Sequence, residues 1–234
     1  MNKFPGQRKT LAHDVYKHLY SSIITLKHKP GAMIYETAIA DELGLSRTPV
    51  REAIHLLAAE GFVQVIPQKG IRVSFISKRK VQEAFQVRES LEAIAFQEAA
   101  RRWDASLLQT KRFKIDVAHI LDQQRAASEK RDVDGFYQQD ESFHDKILDM
   151  CDNQTLSAIV RQVRGHVNRI RYLEFFESRD MERIIHDHEE LIALIEQNDT
   201  TGVVERLKQH LGKAFHHYDE IMEKYADYFV AQAD

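Results

Sequence analysis

Cysteine is nearly absent. Cys151 is the single one in 234 residues, which excludes an intrachain disulfide framework and suits a reducing, cytoplasmic compartment. Its thiol can be read as a redox sensor or as a small buried hydrophobe. Proline is almost as scarce, and all of it lies at one end, at positions 5, 30, 49 and 67. Residues 77–234 hold no proline and four of the nine glycines. So long a segment without helix breakers, rich in good helix formers, reads as an all-α bundle. Long apolar runs are missing as well. No stretch approaches a membrane span and the N-terminus has no apolar signal region, so no membrane partner is expected.

The composition that remains, 43% hydrophobic and 29% charged, is that of a soluble globular chain long enough for one or two domains. The net charge of −3 conceals an asymmetry. Residues 1–76 carry 10 Lys and Arg against 6 Asp and Glu, a net of +4, and residues 77–234 carry 23 against 30, a net of −7. A positive N-terminal segment is what phosphate neutralisation requires, and an acidic remainder discourages nucleic acid from lying elsewhere.

Within the positive segment, residues 1–9 read as a flexible arm. Leu11, Val15, Leu19 and Ile23 mark a first helix over 11–26. Residues 34–43 read as a second helix, with Ala38, Ile39 and Leu43 turned inward. The stretch from Leu43 to Leu57 then reads as a tight turn at Gly44 feeding a third helix with Ser46 as N-cap and Pro49 in its first turn. Val50, Ile54 and Leu57 share its inner face. Arg47, Thr48 and Arg51 lie off that stripe at the N-terminal end, the layout of a helix whose start enters a DNA major groove. A capped surface helix with solvated arginines is the plainer alternative. The flanks favour the first reading. Residues 62–66 and 71–75 are β-branched runs around the turn Pro67-Gln68-Lys69-Gly70, a hairpin placed as a wing, with Lys69 at its tip.

These motifs, Pro30-Gly31, Ser-Arg-Thr-Pro-Val-Arg-Glu-Ala at 46–53, Glu-Gly-Phe-Val at 60–63 and Pro-Gln-Lys-Gly at 67–70, closely resemble the winged helix-turn-helix of GntR-type bacterial transcription regulators. The resemblance implies DNA contacts from Arg47, Thr48, Arg51, Lys69 and Gly70, with Ser46 and Pro49 in the same contact surface. At a further family contact, often basic, this chain has Thr37.

The acidic segment predicts helices over 78–102, 106–129, 133–150, 155–176, 180–197 and 201–229, the last open to a break near Gly212. Short loops between them favour antiparallel neighbours. Four polar side chains fall on apolar stripes. Asp140 and His144, four apart, share the face of Phe136, Phe143, Ile147 and Met150. His188 lies with Ile184, Leu191 and Ile195, and His210 lies with Leu207, Leu211, Ala214 and Tyr218. One inward histidine is ordinarily a hydrogen-bonded core residue. An aspartate and three histidines converging on one core are costly to bury without a cation, and a divalent ion such as zinc, nickel, iron or manganese compensates them. His186, two residues from His188, points some 200° away by the ~3.6-residue helical period. His216 and His217 read as structural or exposed. His166 lies near the stripe of Ile159, Val163 and Ile170 and reads as a cavity-lining or core group. Arg88, within the stripe of Val81, Phe85, Leu91 and Ala95, is either the partner of Glu92 or a cation for a carboxylate ligand. Arg169 is a weaker candidate of the same kind.

Asp-Glu-Ser-Phe-His at 140–144, Asp-His-Glu-Glu-Leu-Ile-Ala-Leu-Ile at 187–195 and Lys-Gln-His-Leu at 208–211 resemble the effector domain of the FadR subgroup, the FCD domain. That resemblance implies ligation of a metal by Asp140, His144, His188 and His210. It also implies an effector cavity faced by an arginine at the position of Arg88.

The fold expected is therefore mostly α, with a winged helix-turn-helix over 10–76, a linker at 77–80 and an all-helical FCD domain over 81–230, antiparallel in its packing. The function expected is a ligand-responsive transcription regulator, a repressor, binding a palindromic double-stranded operator as a homodimer. Its core would hold zinc, or else nickel or manganese, with a small carboxylate effector completing the ion's coordination and Arg88 at the effector's far end. A metal-dependent enzyme is the alternative, but no HExxH motif or nucleophile–base pair supports it. A dedicated metal-ion sensor is a third reading.

Overall fold

Val15, Leu19 and Ile23 stand at helical spacing along α1 (Leu11–Ile24) and are at most 1% exposed. Leu11, expected on the same stripe, is instead exposed, and Ala12 is buried in its place. The computed structural model describes residues 11–178, 180–213 and 218–230. They divide into one unit that ends at Ser77 but includes the chain from Tyr225, and a second unit over 78–224. The expected arm at 1–9 lies outside the described residues, as do Ala214, His216 and His217.

In the first unit α2 (Glu36–Leu43) and α3 (Arg47–Ala59) follow α1, joined by a turn in which Gly44 has φ 64°. Ile39 and Ala40 of α2 face the core with Val50, Ile54 and Leu57 of α3. Ala38 is exposed, one position off the face assigned to it. Strands β2 (Val63–Ile66) and β3 (Gly70–Val73) pair antiparallel from Val63↔Val73 to Ile66↔Gly70. A further strand, β1 (Met33–Ile34), pairs with the other edge of β3. Residue 34 is therefore extended, and the second helix starts two residues later than its apolar pattern suggests. A two-residue strand has no periodicity of its own; only its partner reveals it. Ile76 exchanges backbone hydrogen bonds with Tyr228 (2.8 Å) and Val230 (3.0 Å). Residues 225–230 thus belong with the first unit, where a bundle running to residue 230 was expected.

The second unit is helical: α4 (Lys78–Arg101), α5 (Leu108–Lys130), α6 (Val133–Met150), α7 (Gln154–Ser178), α8 (Met181–Glu196), α9 (Gly202–Lys213) and α10 (Tyr218–Lys224). The last expected helix ends earlier than residue 229, because a 3-10 turn at Ala226–Tyr228 leads into extended backbone at Phe229. Helix α4 packs against α6, α7, α8 and α9. Its Phe96, Ala99 and Ala100 share one core with Phe113 and Val117 of α5, Phe143 and Ile147 of α6, Leu191 of α8 and Leu207 of α9. Asp132 caps α6 and Asp199 caps α9, each accepting a backbone N–H three residues on. Cys151 is buried beside Leu148, Leu156 and Val160, which accords with its reading as a small hydrophobe. Among the described residues no helix is long and apolar enough to cross a membrane.

Candidate functional site

Asp140 and His144 are one turn apart on α6, and the packing of α8 and α9 brings His188 and His210 to them. One ligand-type atom from each of the four lies within 4.8 Å of the others, and all four side chains are buried. The ring centroids of His144 and His188 are 5.5 Å apart, and those of His188 and His210 are 4.8 Å apart. Phe143 stacks on His188 at 3.8 Å and forms an apolar wall.

Each histidine has its outer nitrogen against a polar partner. His188 Nδ1 is 3.0 Å from Gln124 Oε1, His210 Nδ1 is 3.2 Å from Asp187 Oδ2, and His144 Nδ1 is 2.9 Å from Glu92 Oε2. The hydrogen bonds at His188 and His210 hold the proton on Nδ1 and turn Nε2 inward, whereas His144 Nδ1 and Glu92 Oε2 are in close contact without hydrogen-bond alignment. The three Nε2 atoms are buried without a hydrogen-bond partner among the described residues. Buried polar atoms are ordinarily satisfied. Three leftover imidazole nitrogens around a carboxylate fit a divalent ion with nitrogen and oxygen ligands.

The electrostatics point the same way. Burial above all pushes His188 well below the usual imidazole range. Burial lowers His210 to about 4 against the opposing pull of Asp187. Both are therefore neutral, the form that ligates a metal. Burial alone would raise Asp140, but the Arg171 guanidinium above all outweighs it and keeps its carboxyl ionised.

Arg171 was missed in the sequence. From α7 its Nη2 donates to Asp140 Oδ1 at 2.8 Å, and its Nη1 lies 2.8 Å from Oδ2. The signal was a misplaced stripe: Ile159 is 40% exposed, and the buried face of α7 runs through Val160, Arg164, Val167, Arg171 and Glu174 instead. Gln124 was also missed, since a glutamine on a helix carries no signal by itself. Arg169 is buried on α7 and His166 is half-buried there, while His186 is exposed. Arg88 is fully buried. Its Nε donates to Glu92 Oε1 at 2.7 Å, and its Nη1 and Nη2 have no hydrogen-bond partner among the described residues.

The second candidate surface belongs to the first unit. Arg47, Thr48 and Arg51 are exposed at the start of α3, with Pro49 half-buried beside them. Ser46 stands at the N-cap with extended backbone, but its side chain makes no cap hydrogen bond, contrary to expectation. Arg51, though exposed, is paired: Glu36 of α2 accepts from its Nε at 3.2 Å and its Nη2 at 2.9 Å. Lys69 is exposed at the hairpin tip. Gly70 has φ 113°, and a Cβ there would stand 2.9 Å from the Tyr35 ring, so the turn admits little but glycine.

Comparisons agree with this division. Residues 11–73 match the model of bacterial regulatory proteins of the gntR family, and residues 83–213 match that of the FCD domain. The HTH-type transcriptional repressor RspR of Escherichia coli K12 is 26% identical over 215 residues, 92% of each chain. The gluconate operon transcriptional repressor of Bacillus subtilis is 25% identical over 229 residues, 95% of this chain and 86% of that one. Among solved structures, E. coli McbR/YncC superposes with a TM-score of 0.79 at 21% identity, covering 92% of this chain and 99% of its own. That last likeness concerns the fold alone. Family and relatives are transcription regulators rather than enzymes. With its two segments matched in this order, the chain belongs to the gntR family of bacterial transcription regulators, in the group that carries an FCD domain.

Proposed function

We propose that this regulator is a repressor that binds a palindromic operator as a homodimer and responds to a small organic acid in a metal-containing pocket of its FCD domain. Arg47, Thr48 and Arg51, with Ser46 and Pro49 at the same helix start, read the major groove, and Lys69 and Gly70 follow the backbone from the wing. Asp140, His144, His188 and His210 hold the ion, which supplies positive charge beside Asp140 and open positions for a carboxylate oxygen; zinc fits this donor set, as do nickel and manganese. Arg88 takes the effector's anionic end through its terminal nitrogens, and Arg169 and His166 are further candidates to face it. The relative named for a gluconate operon makes hydroxylated carboxylic acids the first class to screen.

The observation that carries the reading is the set of Nε2 atoms around Asp140 without hydrogen-bond partners, linked through Glu92 to an arginine whose two terminal nitrogens likewise have no hydrogen-bond partner among the described residues. An effector alters operator affinity only by favouring one arrangement of the dimer over another. Operator affinity is to be measured on protein stripped of metal, reloaded with zinc, and reloaded with zinc plus each acid. A change that needs both zinc and an acid supports the reading. A full change with zinc alone replaces it with a metal sensor, and no change in any state removes the pocket from regulation.

A further inference from the structure

The three histidines differ in what stands behind them. Behind His188 is a neutral amide, Gln124. Behind His210 is Asp187, which also takes Arg206 and Lys213, side chains that reach solvent. Behind His144 is Glu92, fully buried, and its second oxygen is engaged by Arg88, also fully buried. Of these arms, this one ends on a buried cation with donors to spare.

We propose that Glu92 is the positioning residue that couples the ion to the effector, with one carboxylate oxygen setting His144 and the other setting Arg88. The inference rests on the metal-pocket reading above. Glu92 Oε2 stands 2.9 Å from His144 Nδ1, a close contact outside hydrogen-bond alignment, and a carboxylate there favours the Nδ1-protonated tautomer, which aims Nε2 at the ion. Glu92 Oε1 accepts from Arg88 Nε, which fixes the guanidinium plane and leaves Nη1 and Nη2 as an end-on fork. Two parallel N–H donors in one plane match a carboxylate. Any shift of Glu92 moves both sides of the pocket together, because α4 carries Glu92 and Arg88 one turn apart while His144 comes from α6.

The amide of Glu92→Gln cannot serve both neighbours. It has one accepting oxygen, and its NH2 would face a second donor. In the full-length, metal-stripped protein labelled with 15N-histidine, His144 is expected as the Nδ1-protonated tautomer, and the substitution is expected to mix its tautomers without touching His188 or His210. Zinc affinity measured by chelator competition is expected to fall about 10- to 100-fold. Acetate, used as a probe carboxylate on the zinc-loaded protein, is expected to lose its thermal shift. If Glu92→Gln leaves Arg88 uncompensated and the chain does not fold, Arg88→Met with Glu92→Gln removes both charges and should show the same His144 and zinc changes. Unchanged tautomer and unchanged zinc affinity in either variant overturn the inference and leave Glu92 as a mere counter-ion. If the parent protein itself takes up no zinc, the metal reading falls, and the His144 tautomer still decides whether Glu92 sets that ring.

Discussion

Arg171 holds Asp140 by a hydrogen bond from Nη2 to Oδ1 at 2.8 Å and an ion-pair contact from Nη1 to Oδ2 at 2.8 Å, and both side chains are buried. A carboxylate so gripped cannot rotate, so the face it turns toward His188 is set before any ligand arrives. It also makes the pair dangerous to break. Arg171→Met should destabilise the metal-stripped protein by about 3–5 kcal/mol, because Asp140 is left as an uncompensated buried charge. Zinc should restore much of that loss by supplying the missing positive charge. Urea unfolding with and without zinc measures both, and an equal loss in the two states would refute a role for Asp140 at the ion.

Acid should weaken the metal-stripped protein through His210. Its folded value is about 4 against an ordinary 6.5. Between those values the unfolded chain binds the proton and the folded chain does not, so stability falls as pH drops through that window and is fully present above it. The slope is up to about 1.4 kcal/mol per pH unit for one such side chain, and His188 acts in the same sense. Denaturation at pH 7.5, 6 and 5 reads the slope. A flat profile would mean that His210 is not desolvated.

At the DNA surface the two arginines should behave differently. Arg47→Ala should cost about 1–3 kcal/mol of operator binding if it reads a base. Arg51 is already forked to Glu36. Glu36→Gln should therefore loosen its aim and remove a negative charge near the phosphates, lowering operator affinity while raising non-specific affinity. Binding titrations on a fragment selected from genomic DNA and on a scrambled duplex separate the two. A rise on both duplexes would reduce Glu36 to simple charge repulsion.

The hairpin turn offers a test of geometry alone. Gly70→Ala places a methyl 2.9 Å from the Tyr35 ring at a φ of 113°. The substitution should destabilise the first unit by more than about 1 kcal/mol. Thermal melting against Gly44→Ala, whose Cβ meets nothing within 4 Å although φ is also positive, isolates the contact from the backbone strain. Equal losses would show that Tyr35 moves aside freely.

Much of this molecule was legible because helices repeat. A helical period puts Asp140 and His144 on one face of α6 and puts His188 and His210 on apolar stripes, whatever the rest of the chain does. The absence of proline after residue 67 likewise marks the helical half, and the paired β-branched runs mark the hairpin. Strand β1 was invisible because two residues carry no pattern, and their hydrogen-bond partner is nearly forty positions away in sequence. The face of α7 was misassigned because arginines and a glutamate hold buried positions there, and they are tolerated only because α6 and α8 bring their counter-charges.

The chain's own order of residues determined which side chains each helix offers to its interior and where the positive charge lies. Packing alone decided that α6, α8 and α9 meet, that Arg171 rather than Arg169 grips Asp140, and that Glu92 stands between His144 and Arg88. The reason is range: periodicity acts over a few residues of one helix, whereas a buried charge is admitted only when a distant element supplies its partner.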